Sequence, residues 1–121
     1  MPKISSTQLR EELAHCTGTE NWYRHPLNRK WLYTDGVQHF CEAAGAYWFM
    51  DILVTEPEIL KTAQEFAHIT LTVLPSQQAK LTVTDGNENE TFHRHLQYTD
   101  CPEGEWRFYM CNNVLMLPSE Y

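Results

Sequence analysis

The chain has 121 residues, 42% of them hydrophobic, and a formal net charge of −7. That length supports one domain over residues 1–121 with its own core, and no stretch reaches the ~18 apolar residues that a membrane span needs. An excess of carboxylates works against a binder driven by phosphate contacts, so no direct nucleic-acid ligand is expected.

A first helix is expected from about Thr7 to His15, with Ser5 and Gln8 as a capping box and Leu9 and Leu13 facing the core. Thr17-Gly18-Thr19 ends it. The next segment, through His25, reads as a loop. A short strand follows at Trp31 to Tyr33. A second helix starts after Thr34-Asp35-Gly36, with Thr34 or Asp35 as N-cap, and stops at Gly45. Ala46 to Val54 reads as a third helix, so apolar that it should be buried on most sides. Pro57 breaks or restarts it, and Ile59 to Phe66 adds a short helical piece.

After Ala67 the period changes to two. His68 to Leu74 and Ala79 to Thr84 alternate, with Ile69, Leu71, Val73, Leu81 and Val83 on one side. Asp85-Gly86-Asn87 is a hairpin signal, and Asn112-Asn113 suits a two-residue turn with positive φ. Thr91 to Tyr98, Glu105 to Cys111 and Val114 to Leu117 complete the strands. All connections are short, so neighbours should pair antiparallel. The expected fold class is α+β: N-terminal helices packed on one face of a roughly five-stranded, mostly antiparallel meander sheet.

Four places could carry chemistry. His93 and His95 project from one strand face, as two zinc ligands would. His68 shares that face, but strand spacing puts it on the order of 14 Å from His93, so no metal is expected. The polar sheet face, with Thr70, Thr82, Lys80, His93, His95, Arg107 and Tyr109, shows no carboxylate and could meet an anion, or simply water. The segment Glu20, Trp22, Tyr23, Arg24 and His25 concentrates acid, base and aromatic groups, with Glu20 and His25 as a conceivable acid–base pair. Its bland reading is two aromatics plugging the core. Asp51 is the one charge between Ala43 and Thr55, so it needs a partner, for which Arg24 and His25 are candidates. Tyr47 and Trp48 flank it. Asp35 and His39, one turn apart, suit capping.

No phosphate loop, nucleophile elbow, zinc helix or calcium loop occurs, and no cofactor is implied. Cys16, Cys41, Cys101 and Cys111 form no Cys-x-x-Cys pair and read as free packing thiols in a reducing compartment. The N-terminus carries no export pattern, so a cytoplasmic location is expected.

The blocks Thr17-Gly18-Thr19-Glu20-Asn21-Trp22-Tyr23-Arg24-His25, Tyr33-Thr34-Asp35-Gly36-Val37, Ala44-Gly45-Ala46-Tyr47-Trp48 and Leu115-Met116-Leu117-Pro118-Ser119-Glu120-Tyr121 resemble an uncharacterised family of small bacterial proteins. It is a domain of unknown function met on plasmids, integrative elements and phages. The resemblance implies a bacterial, cytoplasmic, stand-alone domain and no particular activity. The stretch Thr55 to Gln78 departs from that pattern.

Two functions follow as expectations. The first is a non-enzymatic interaction protein of a mobile element, acting through an acidic surface on a host defence or nucleic-acid enzyme. The alternative is a small-molecule binder or enzyme, with a pocket between the Glu20–His25 loop and the helix bearing Asp51. A homodimer could form if the last strand, Val114 to Leu117, is a bare sheet edge.

Overall fold

The computed structural model describes residues 5–14, 22–87, 89–99 and 101–118. The order of elements is α1 (Ser6–Ala14), β1 (Trp22–Arg24), β2 (Leu32–Thr34), α2 (Asp35–Ala44), α3 (Tyr47–Thr55), α4 (Pro57–Ala63), β3 (Ala67–Val73), β4 (Ala79–Thr84), β5 (Glu90–Leu96), β6 (Gly104–Cys111) and β7 (Val114–Met116). Helices and sheet form an α+β arrangement of two layers.

The helix limits follow from their ends. Ser5 accepts from the Gln8 backbone N–H at 3.1 Å. The reciprocal half of the expected capping box is not made, because the Gln8 amide turns to Glu12 instead, at 3.1 Å. Thr34 caps α2 by accepting from the Val37 N–H, and Gly45 ends it in the left-handed conformation at φ 64°, which glycine adopts without steric cost. Pro57 opens α4 at a position whose N–H has no helical partner anyway. α3 buries Phe49, Met50, Leu53 and Val54 but leaves Tyr47 exposed, so it is covered on one side rather than on most.

All five strands expected after Ala67 are present, as β3 to β7. Two strands from the N-terminal half extend the sheet to seven, in the order β1-β2-β7-β6-β3-β4-β5. Trp22–Arg24, expected as loop, pairs antiparallel with β2. The sheet is mixed, since β2 runs parallel to β7, and its other pairings are antiparallel.

The meander is also corrected. β6 does not lie beside β5; it pairs with β3 over seven residues. Strands β3, β4 and β5 with β6 returned beside β3 form a Greek key. The connection passes the β3–β4 turn, where the Thr99 N–H donates to the Gln77 carbonyl at 2.8 Å. The Trp106 indole N–H then donates to the Pro102 carbonyl at 2.9 Å, which holds the start of β6. β7 sits inside the sheet between β2 and β6, so the expected bare edge is not there; β1 and β5 are the edges.

The alternation after Ala67 holds in full on β3, with Ala67, Ile69, Leu71 and Val73 buried and the residues between them half-buried. Leu81, Val83, Trp106, Phe108 and Met110 join the same core face. The helices supply Leu9, Phe40, Phe49, Leu53 and Ile59 against it. Phe40 is the hub, with ring centroids 4.9 Å from Phe108, 5.6 Å from Trp106 and 6.3 Å from Phe49. Asn112 and Asn113, at φ 53° and 61°, make the tight β6–β7 turn, as their side-chain chemistry favours. No helix among the described residues is long and apolar enough to cross a membrane.

Candidate functional site

Of the residues singled out in the sequence, Tyr23, His25, Asp35 and Asp51 lie at the β1–β2 end of the sheet, where it meets α2 and α3. β1 and β2 pair so that Tyr23 lies opposite Tyr33, and their rings stack with centroids 5.4 Å apart. Tyr33 also meets the His25 ring edge-on at 6.4 Å. The Tyr23 hydroxyl donates to Asp35 Oδ1 at 3.0 Å, at the start of α2. That bond to a carboxylate raises the Tyr23 phenol above its ordinary value, with desolvation adding to it. Burial does the same for Tyr33.

His25 is 1% exposed and Asp51 49% exposed, and His25 Nε2 lies 2.9 Å from Asp51 Oδ1. The other ring nitrogen, Nδ1, accepts the Leu27 backbone N–H at 3.0 Å. A nitrogen that accepts carries no proton, so the proton of the neutral ring sits on Nε2 and points at Asp51. Both ring nitrogens are therefore committed within the protein. The expected partnership of Asp51 and His25 is present, but as a clamp whose imidazole has no nitrogen left for a substrate. Asn28 reinforces it by donating to the Val54 carbonyl at 2.8 Å. Together they fasten the β1–β2 loop to α3.

Arg24 is turned away from Asp51 and contacts the Arg29 carbonyl. Trp22 is 53% exposed. The Tyr47 hydroxyl donates to Glu42 at 3.1 Å, and burial, followed by that bond, raises the phenol further than in Tyr23. Trp48 is half-buried and packs edge-on against Phe49. Glu20 lies outside the described residues. The geometry thus joins His25 to Asp51 and Tyr23 to Asp35, and leaves Arg24, Trp22 and Trp48 apart from both pairs. Tyr33, which touches Tyr23 and His25, and Asn28 were not singled out from the sequence. The equal residue parity of Tyr23 and Tyr33 across a short hairpin was the available signal. Asp35 and His39, expected as one pair, divide: His39 Nε2 meets Glu12 Oε1 at 2.6 Å.

The three described thiols, Cys41, Cys101 and Cys111, are buried, which makes them poor nucleophiles, while Cys16 lies outside the described residues. Burial pushes Cys41 up to about 12, with Cys101, Asp51 and Glu42 adding to it, and burial alone pushes Cys101 up to about 12. Alkylation of the native protein at about pH 8 should therefore leave the Cys41 and Cys101 peptides unmodified, while unfolding exposes both to full reaction. Peptide mass spectrometry reads this directly, and rapid native labelling of either cysteine would contradict it.

The polar sheet face is left open, because the helices pack on the other side. Register sets its rows: Arg107, Thr70, Thr82 and His93 in one, and Glu105, Thr72, Lys80 and His95 in the next. Contrary to the expectation of a face without carboxylates, Glu105 and Glu90 both lie on it. Glu105 pairs with Arg107. A register shift between Val83 and Thr84 brings Glu90 opposite Thr84, 3.1 Å from His93. Arg107 and His93 are thus each met by a local carboxylate. Burial lowers the His68 imidazole from its ordinary value, and Arg107 adds to that while Glu105 opposes it. Among the described residues no group of three or more His, Cys, Asp or Glu could hold a metal ion.

Charge divides sharply between the layers. Residues 5–14 and 35–65, which hold the helices, carry eight carboxylates (Glu11, Glu12, Asp35, Glu42, Asp51, Glu56, Glu58, Glu65) against Arg10 and Lys61. Six of the chain's seven net negative charges therefore lie on the helical layer. Glu56 is neutralised by Arg94 at 3.1 Å. Glu11, Glu58 and Glu65 are exposed, with no cation partner among the described residues. Glu58 and Glu65 join Asp85 along a cleft of about 490 Å³ between α4 and the β4–β5 turn.

A two-layer α+β domain with an acidic helical side and a near-neutral open sheet is the class of molecule that these features define. The chain belongs to a family of unknown function, DUF6876, whose sequence profile matches residues 7–121. Searches of curated proteins and of solved structures each found no match.

Proposed function

We propose that this domain is a non-enzymatic interaction protein whose acidic helical layer occupies a cationic surface of a protein partner. The observation that carries the reading is the concentration of six net negative charges on one layer, with Glu11, Glu58 and Glu65 unpaired among the described residues. Exposed carboxylates left without cations contribute little to folding. They set up a field that steers and selects a positively charged partner.

The partner class whose surface fits is a nucleic-acid enzyme, because its substrate groove is lined with Lys and Arg. In this reading the domain is a mobile-element product that blocks such a host enzyme. Supporting it against a catalytic role are the sealed His25 ring and the suppressed Cys41 and Cys101 thiols.

The test is capture on immobilised protein from a bacterial lysate at about 50 mM salt, followed by elution with duplex DNA. Salt at that level leaves charges interacting over more than 10 Å. Nucleic-acid-binding proteins should be retained and then displaced by the DNA. Retention that DNA does not reverse, or capture of nothing, would count against the reading.

A further inference from the structure

We infer that the cleft between α1 and the start of β6 is a binding site for a small organic carboxylate with an apolar body. The cleft has a volume of about 620 Å³ and is walled by Leu13, Trp106, Leu117 and Pro118, with Arg10 and Arg107 as its cations. Arg107 is occupied by Glu105 at the rim. Arg10 is not occupied in that way. Its guanidinium lies over the Trp106 ring, 4.5 Å from the centroid, and no carboxylate meets it among the described residues.

The position of Arg10 is built rather than incidental. Trp106 is 3% exposed and pinned by its indole N–H to the Pro102 carbonyl, with Phe40 behind it. Residue 104 is glycine at φ 139°, and a Cβ there would collide with the Arg10 guanidinium. That backbone angle favours glycine in its own right, and the absent side chain leaves the guanidinium its place over the indole. A guanidinium stacked by one face keeps its N–H edges for a planar acceptor, and a carboxylate matches that fork with two parallel hydrogen bonds. The aliphatic walls beside it suit an apolar body. In a chain of charge −7 a bare anion gains little from the long-range field, so the apolar contacts have to contribute as well.

The probe is 4-phenylbutyrate, titrated into isotopically labelled protein while the Trp106 indole and Arg10 Nε–H resonances are followed. Both should shift together, with a Kd on the order of 1 mM for a ligand of about 12 heavy atoms. The neutral amide of the same acid should bind at least about tenfold more weakly, because a charge-assisted pair is lost. Arg10→Met keeps the apolar stem over Trp106 and should weaken the acid by a similar factor, with resonances elsewhere unmoved. Inorganic phosphate should bind more weakly than the acid. The inference is overturned if acid and amide bind alike on the wild-type protein, if phosphate binds as tightly as the acid, or if neither resonance shifts at about 10 mM probe.

Discussion

Replacing Phe40 by Ala is expected to remove about 3–5 kcal/mol of stability, as truncating a fully buried phenylalanine does elsewhere. Phe40 is 0% exposed and is the ring through which α2 touches both α3, at Phe49, and the sheet, at Trp106 and Phe108. Its loss leaves a void with rigid aromatic walls, which relax poorly. A chain of this length has roughly 6–18 kcal/mol in total, so the variant should melt roughly 15 °C lower. Phe40→Leu refills most of the space and should cost about 1–1.5 kcal/mol. Leu27→Ala removes a side chain that is 65% exposed and should fall within about 0.5 kcal/mol of the wild type. Denaturant titration of the three variants checks the order. Phe40→Ala within 1 kcal/mol of the wild type would contradict the hub assignment.

The second large effect concerns the clamp. His25→Ala should cost about 2–4 kcal/mol, because it empties a buried site and removes the acceptor for the Leu27 N–H. Asp51 is half exposed, so water can replace much of what it loses, and Asp51→Ala should cost only about 1 kcal/mol. Asp51→Asn should be milder still. The neutral imidazole donates from Nε2, and an amide oxygen can accept that bond as a carboxylate does. The predicted order is therefore His25→Ala, then Asp51→Ala, then Asp51→Asn. If Asp51→Asn cost as much as His25→Ala, the pair would depend on charge, and the tautomer argued from the Leu27 amide would be wrong.

Much of the second half was legible because the chain repeats one rule there. On β3 and β4 each buried residue is followed by a less buried one, and the pleat converts that into two faces. The partner of Asp51 was legible for a different reason. A lone carboxylate inside Tyr47 to Val54 must be answered by a donor, and His25 was one of two nearby. What stayed hidden was long-range choice. The residues of β6 alternate equally well beside β5 or beside β3, and the side was decided by a connection that Gln77 and Thr99 hold in place. Trp22–Arg24 is three residues long, too short to show a period, so its pairing with β2 left no trace in the pattern. Glu90 reached the open face only through the shift beside Thr84, and a strict odd–even reading cannot anticipate an extra residue. The Arg10 cleft joins α1 to β6 across some ninety residues, and neither Gly104 nor Trp106 stood out without that juxtaposition.

The charge division between the layers depends on which elements carry the carboxylates, and it can be probed by reversing them. The variant Glu11→Lys, Glu58→Lys, Glu65→Lys changes exposed positions and should fold as the wild type does. Isothermal titration of both proteins against one captured, DNA-displaceable partner, repeated over a series of salt concentrations, is the most direct measurement. Wild-type affinity should fall steeply as salt rises, and the variant should bind at least about a hundredfold more weakly at low salt, with a shallower salt dependence. Equal affinities for the two proteins, or a wild-type affinity indifferent to salt, would contradict the account.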